Sequence, residues 1–123
     1  MKSYIDGFVL PIPLKHLDRY QKAAEKIAEI WKEYGALSYR EYVGDSMTLE
    51  GTRSFIDATV AKEDEVVIFG WVEFESREAR DLANEKVPLD PRMKDIVAPL
   101  LDAEDLIFNA ERMVYGGFKP IVL

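Results

Sequence analysis

Between positions 65 and 75 the chain reads Glu-Val-Val-Ile-Phe-Gly-Trp-Val-Glu-Phe-Glu. The run is rich in β-branched and aromatic residues and holds no proline, so it predicts a long strand. Successive strand side chains point to opposite faces. One face then carries Val66, Ile68, Gly70, Val72 and Phe74; the other carries Val67, Phe69 and Trp71 and turns acidic at Glu73 and Glu75. Both faces are apolar through the middle, so both need cover. Helices can cover one, and whatever covers the second decides the architecture.

A second strand of the same kind is expected over 3–12, with Tyr4, Asp6, Phe8 and Leu10 on one face and Ile5, Gly7 and Val9 on the other. Pro11 and Pro13 end it, and Pro13 suits the first turn of a helix. That helix is predicted over 14–34. Leu17, Tyr20, Ala24, Ile27, Trp31 and Tyr34 recur at spacings of three and four, while Lys22, Glu25, Glu29 and Lys32 fall on its outer side. Gly35 supplies a left-handed stop.

The stretch 36–44 predicts a more polar strand suited to a sheet edge. A loop over 45–55 follows, and 55–62 reads as either a helical turn or a short edge strand. Ser76 caps a helix over 77–86 with Ala79, Leu82 and Ala83 as its apolar face. Asp90-Pro91 starts another, with Met93, Ile96, Val97 and Leu100 inward. After a connector over 101–108, a last strand is expected over 109–123, where Gly116-Gly117 predicts a bulge or a close backbone approach. The order β-α-β-β-α-β is the split βαβ pattern: one α+β, ferredoxin-like domain over 1–123, its antiparallel sheet centred on the two apolar strands.

Charge and composition narrow the function classes. With 16 basic and 23 acidic residues the net charge is −7, which repels nucleic acid and anionic membranes, so neither is an expected partner. No run approaches the ~20 apolar residues of a membrane span, and no signal peptide is apparent in Met1-Lys2-Ser3-Tyr4-Ile5-Asp6. The absence of cysteine excludes disulfides, thiolate metal sites and a cysteine nucleophile, and suits a cytoplasmic chain. One histidine, His16, leaves no basis for a transition-metal site, so no metal and no cofactor are expected, and a solvated position is expected for that ring. No Gly-x-Ser-x-Gly elbow, Walker loop or Gly-x-Gly-x-x-Gly occurs. The acids at 102–105 lack calcium-loop spacing and read as a solvated connector.

What remains is a set of charges inside strands: Asp6, Arg40, Glu41, Glu73, Glu111 and Arg112. Such charges pair, face solvent or line a site. An apolar concavity with a few convergent polar groups is the default ligand site. Asp6, Tyr39, Arg40, Trp71, Glu73, Arg112 and Tyr115 are therefore the candidate ligand-binding residues, with no catalytic assignment.

Several blocks carry a resemblance. They are Tyr4-Ile5-Asp6-Gly7-Phe8-Val9-Leu10-Pro11-Ile12-Pro13, Trp31-x-Glu33-x-Gly35-Ala36-Leu37-x-Tyr39-x-Glu41, Ser76-Arg77-x-x-Arg80-Asp81-x-x-Asn84-x-Lys86-Val87, Asp90-Pro91-Arg92-Met93 and Arg112-Met113-x-Tyr115-Gly116-Gly117-Phe118. Together they span nearly the whole chain, which resembles the YbaA-like family of small bacterial proteins of unknown function. The resemblance implies a ferredoxin-like subunit of the dimeric α/β-barrel class, whose members include cofactor-independent monooxygenases, isomerases, haem-degrading enzymes and ligand-binding modules. A homodimer is the expected assembly, since a second copy would cover the open sheet face. The leading functional expectation is a cytoplasmic homodimer binding a small molecule between sheet and helices. The alternatives are a monooxygenase or isomerase acting on an aromatic or quinone-like compound, and an interaction module without a ligand.

Overall fold

The computed structural model describes residues 2–123, so Met1 of the N-terminal reading lies outside the described residues. Its elements are β1 (Tyr4–Pro13), α1 (Leu17–Glu33), β2 (Ser38–Val43), α2 (Phe55–Thr59), β3 (Glu65–Phe74), α3 (Arg77–Lys86), α4 (Pro91–Val97) and β4 (Val114–Phe118), with single 3-10 turns between some of them. The four strands form one antiparallel sheet in the order β2-β3-β1-β4. The two strands that are apolar on both sides, β1 and β3, are thus the central pair, in register from Tyr4 opposite Phe74 to Pro13 opposite Glu65.

Local chemistry explains most boundaries. Gly35, at φ +111°, closes α1 in a conformation that costs glycine little, and the Ala36 amide then donates to the Trp31 carbonyl at 3.0 Å. The Ser76 hydroxyl accepts from the Ala79 amide, and the Asp90 carboxylate from the Arg92 amide, as their cap roles predict. The ambiguous 55–62 stretch resolves as the short helix α2, because Ser54 accepts from the Ile56 amide and caps it.

Two expected element bounds are corrected. Pro13 ends β1 rather than opening the helix, and a 3-10 turn over Leu14–His16 intervenes. The last strand covers Val114–Phe118 and not 109–123. Asn109 accepts from the Glu111 amide and starts a 3-10 turn that puts Glu111 and Arg112 ahead of the ladder. Its pairing with β1 is regular, so Gly116-Gly117 makes no bulge. Instead a Cβ on Gly117 would stand 2.5 Å from the Tyr4 hydroxyl and 3.0 Å from Arg80 Nη1, which is the close approach a glycine permits.

The core lies on the sheet face bearing Phe8, Leu10, Ile12, Ile68, Val72 and Phe74. Leu10, Ile12 and Ile68 pack with Tyr20, Ala23 and Ala24 of α1 and with Leu100 and Ile107. Val72 and Phe74 pack with Ile30, Ala36, Ala83 and Val87. On α1, Tyr20, Ala23, Ala24 and Ile30 are buried and Leu17, Ile27 and Trp31 half-buried, while Lys22, Glu25, Glu29 and Lys32 are exposed. Trp31 meets the Phe74 ring edge-on.

The opposite face is only partly covered. The rings of Phe55 on α2 and Phe69 pack edge to face, and the nearby Val67 is buried at the covered corner. Beyond that corner Tyr42, Phe69, Val114 and Phe118 are each between 41% and 56% exposed. Tyr42 stacks on Trp71, which also meets Phe69 edge-on, so the remaining surface is a continuous aromatic patch. Among the described residues, no helix is long and apolar enough to cross a membrane.

Candidate functional site

The register divides the candidate residues between the two faces of the sheet. Asp6, Tyr39 and Tyr115 point to the helix side. Arg40, Trp71 and Glu73 lie on the partly open side, where Trp71 is opposite both Gly7 and Arg40, and Glu73 opposite Ile5 and Ser38. They do not share one pocket. Glu73 accepts hydrogen bonds from the hydroxyls of Ser3 at 3.1 Å and Ser38 at 3.3 Å. Arg112 stands apart from both groups. It grips Glu65 through two hydrogen bonds of 2.6 and 2.8 Å and donates to the Val60 carbonyl at 2.9 Å. The Arg112 guanidinium holds the Glu65 carboxyl below its ordinary range. This is a clamp tying the start of β3 to the α2 corner and the turn before β4.

On the helix side, a cavity of about 330 Å³ opens between sheet and helices. Its walls are mostly apolar. Phe8 and Leu10 come from β1, Ile27 and Trp31 from α1, Met93 and Val97 from α4, and Phe108 and Met113 from the segment before β4. Two polar constellations meet this wall.

The first is centred on Arg80, which reaches from α3 to the sheet. Arg80 Nη1 donates to Asp6 Oδ1 and to the Tyr115 hydroxyl, each at 2.8 Å. Nη2 donates to the Tyr4 hydroxyl at 3.2 Å, and Nε to Asp81 at 2.8 Å. The Tyr115 hydroxyl donates to Asp6 at 2.8 Å. Burial opposes the arginine charge, but the Asp6 and Asp81 carboxylates outweigh it and raise its pKa. The unit is charge-paired within itself. Arg80 stands in the block from Ser76 to Val87 that carries the resemblance, but not among the candidate ligand-binding residues. The signal was its spacing to Ala83 and Val87, both fully buried. Leu82, expected on the inner face, is half exposed instead.

The second constellation is Tyr20, Tyr39 and Glu41. The Tyr20 hydroxyl donates to one carboxylate oxygen of Glu41, and the Tyr39 hydroxyl to the other at 2.8 Å. Burial raises the Glu41 pKa, and the two hydroxyl donors offset this only in part. Burial and the adjacent carboxylate push both tyrosines above their ordinary value. Glu41 thus differs from Asp6: it is a half-buried carboxylate held, among the described residues, by neutral donors alone. The alternation of β2 singled out Glu41 as a strand charge, but the face it occupies follows only from the register with β3.

His16 is buried rather than solvated, with Nε2 2.8 Å from Asp105 Oδ2. The imidazole draws the Asp105 carboxyl below its ordinary range. This pair fastens the 101–108 connector to the start of α1. Among the described residues, no group of three or more His, Asp or Glu side chains is placed to hold a metal ion.

The chain is 40% identical over 120 residues to the uncharacterized protein YbaA of Escherichia coli K12, covering 98% of this chain and 97% of that protein. The same identity and coverage hold for YbaA of Shigella flexneri. Among solved structures, a NIPSNAP family protein of unknown function from Agrobacterium tumefaciens superposes with a TM-score of 0.56 at 16% identity, over 96% of this chain and 87% of that one. A NIPSNAP-like domain protein from Burkholderia xenovorans gives a TM-score of 0.53 at 13% identity, over 98% and 86%. These likenesses describe the fold alone. Residues 3–103 match the family described as protein of unknown function DUF1428, and with the 40% identity to YbaA over nearly its full length, the chain belongs to that family.

Proposed function

We propose that this protein binds a small molecule with an apolar body in the cavity between its sheet and helices. One observation carries the reading: a volume of about 330 Å³, walled by aliphatic and aromatic side chains, with the Tyr20–Glu41–Tyr39 constellation converging on it. Ligand sites combine a largely apolar lining with a few placed polar groups. Two copies of this ferredoxin-like subunit pair through the partly open sheet face, making a dimeric barrel whose cavities lie on the outer, helical sides. The aromatic patch of Tyr42, Phe69, Trp71 and Phe118 supports that pairing, as does the absence of cysteine for a cytoplasmic setting.

Native mass spectrometry of freshly purified protein tests the binding. The expected result is a ligand mass carried with the wild-type chain and lost in Ala24→Phe, whose ring would fill the cavity. Wild-type protein that stays empty against a broad library of apolar compounds would count against the reading. A second reading is an isomerase or cofactor-independent monooxygenase for an aromatic or quinone-like compound. It is favoured by the raised pKa of Glu41, since a carboxylate moved toward neutrality is a better proton acceptor. Oxygen uptake or proton exchange with quinols, abolished by Glu41→Gln, would establish it.

A further inference from the structure

Two concavities share one wall. Besides the inner cavity, a groove of about 370 Å³ runs between α1 and β2, lined by Leu17, Gln21, Glu25 and Val43 among others. Tyr20, Ala24, Tyr39 and Glu41 line both volumes, so this constellation is the partition between an outer groove and an inner cavity. Glu41 faces each of them.

The charges along this route have one sign. The outer groove presents Glu25 and Glu41, the inner cavity Asp6 and Glu41, and among the described residues no lysine or arginine lines either one. Asp6 is neutralised by Arg80 at 2.8 Å. Among the described residues Glu41 has no such partner. Its bonds go to two hydroxyls, which carry no charge. A carboxylate has room for about four hydrogen bonds, so each oxygen keeps accepting capacity beyond its tyrosine. Glu41 is half-buried; even partial burial of a charge without a counter-ion is costly, and a cation arriving beside it recovers that cost. Aromatic residues also line the inner cavity, and an aromatic face attracts a cation that reaches it. Tyr20 and Tyr39 stand at the carboxylate, and Phe8 and Trp31 share the lining of the inner cavity.

We infer that the ligand of this site is a protonated amine on an apolar or aromatic body, its ammonium group bound by Glu41 between Tyr20 and Tyr39 and its body in the inner cavity. The inference rests on the proposed ligand-binding role of the cavity and adds the charge and class of what enters it. An anionic ligand is disfavoured by the same carboxylate, and a neutral one leaves Glu41 without a counter-charge.

The test is a matched set of probes of equal girth: 2-phenylethylammonium, 2-phenylethanol and phenylacetate, titrated into the full-length protein near pH 7 and followed by calorimetry and by amide shifts. The expected result is an ammonium bound about tenfold tighter than the alcohol, with phenylacetate weaker than both, since a charge-assisted contact is worth roughly twice a neutral one. In Glu41→Gln the ammonium's advantage should collapse to about the alcohol's affinity, while binding of the alcohol persists. An alcohol that binds as well as the ammonium in wild type would overturn the cationic assignment and leave the cavity's binding role standing. Failure of all three probes to perturb the residues of the cavity would overturn both. An ammonium preference that survives Glu41→Gln would overturn the role given to Glu41. The three-probe comparison is made on the wild-type chain, so it decides the charge of the ligand whether or not the variant folds.

Discussion

Phe8 and Gly70 face each other across the β1–β3 ladder so closely that a methyl group on Gly70 would stand 2.5 Å from the Phe8 ring. The same methyl would lie 2.8 Å from the Arg40 carbonyl oxygen of the neighbouring strand. Phe8 lines the cavity and packs against both halves of the core, so the glycine sets how deeply that ring sits.

Gly70→Ala should therefore cost about 3 kcal/mol or more, at the upper end of what overpacking does. Phe8→Leu in the same chain should recover only part of it, because the backbone contact remains. Urea denaturation checks both. A Gly70→Ala chain within about 0.5 kcal/mol of wild type would show that the strands part more easily than this packing allows.

Arg80→Met keeps much of the side-chain volume and removes the charge that Asp6 depends on. Both groups are more than nine-tenths buried, and breaking such a pair from one side costs about 3–5 kcal/mol. Tyr115→Phe removes a single hydroxyl and should cost about 1 kcal/mol. Asp6→Asn added to Arg80→Met should restore much of the loss, since no buried charge is then left alone. A double variant no more stable than Arg80→Met alone would rule out the charge as the cause.

The parts that follow from local chemistry were legible in the sequence. β3 was visible in its β-branched and aromatic run, α1 in its stripe, and the starts of α3 and α4 in Ser76 and Asp90. What escaped depends on contacts between distant segments. Ile107 is buried in a connector without periodicity, because the amides of Ile107 and Phe108 both reach back to the Leu100 carbonyl. His16 is buried because Asp105 lies beside it. The candidate residues were drawn from strands, where a one-residue offset exchanges the faces, so Trp71 and Glu73 were grouped with Asp6 although the register sets them on opposite sides. Arg80 lies on helix α3 and so falls outside that strand-derived set. Glu41 was noted only as a charge, since nothing in its neighbours in sequence shows that Tyr20 will meet it.

The pH dependence of stability offers a check on Glu41. Its folded pKa lies above the ordinary carboxylate value, chiefly through burial, with Tyr20 and Tyr39 facing it as donors. The folded state then holds a proton that the unfolded chain has released, in the window between the ordinary value of 4.5 and the raised one. Glu41's contribution is fully present below that window and is lost as pH rises through it. Relative to Glu41→Gln, wild type should thus become less stable across that window, and the gap should level off above it. Groups with depressed values, such as Glu65 and Asp105, act in the opposite direction but are common to both proteins. A difference between the two chains that stays flat from about pH 4 to 8 would remove the burial argument.

The open face of the sheet leads to the last prediction. Trp71 sits at its middle, opposite Gly7 on β1 and Arg40 on β2, stacked on Tyr42 and edge-on to Phe69. Helix α2 covers only the Val67 corner, through Phe55. The rings beyond it belong to three strands, β2, β3 and β4, so the patch cannot be hidden by moving one loop. Soluble monomers seldom leave contiguous apolar patches larger than a few hundred Å². A two-fold partner would cover the patch with its own copy and bury an interface of standard size or more. Wild-type protein at tens of micromolar should therefore sediment as a dimer. Trp71→Glu, which places a carboxylate at the centre of that interface, should give monomers or insoluble chains, whereas Lys22→Glu on the exposed side of α1 should leave the dimer intact. Phe118→Ser, at the far edge of the patch, should weaken association with little effect on folding, since that ring is 56% exposed in the single chain. A wild-type chain that remains a folded monomer at that concentration would mean that α2 and the aromatic rings suffice to shield the sheet.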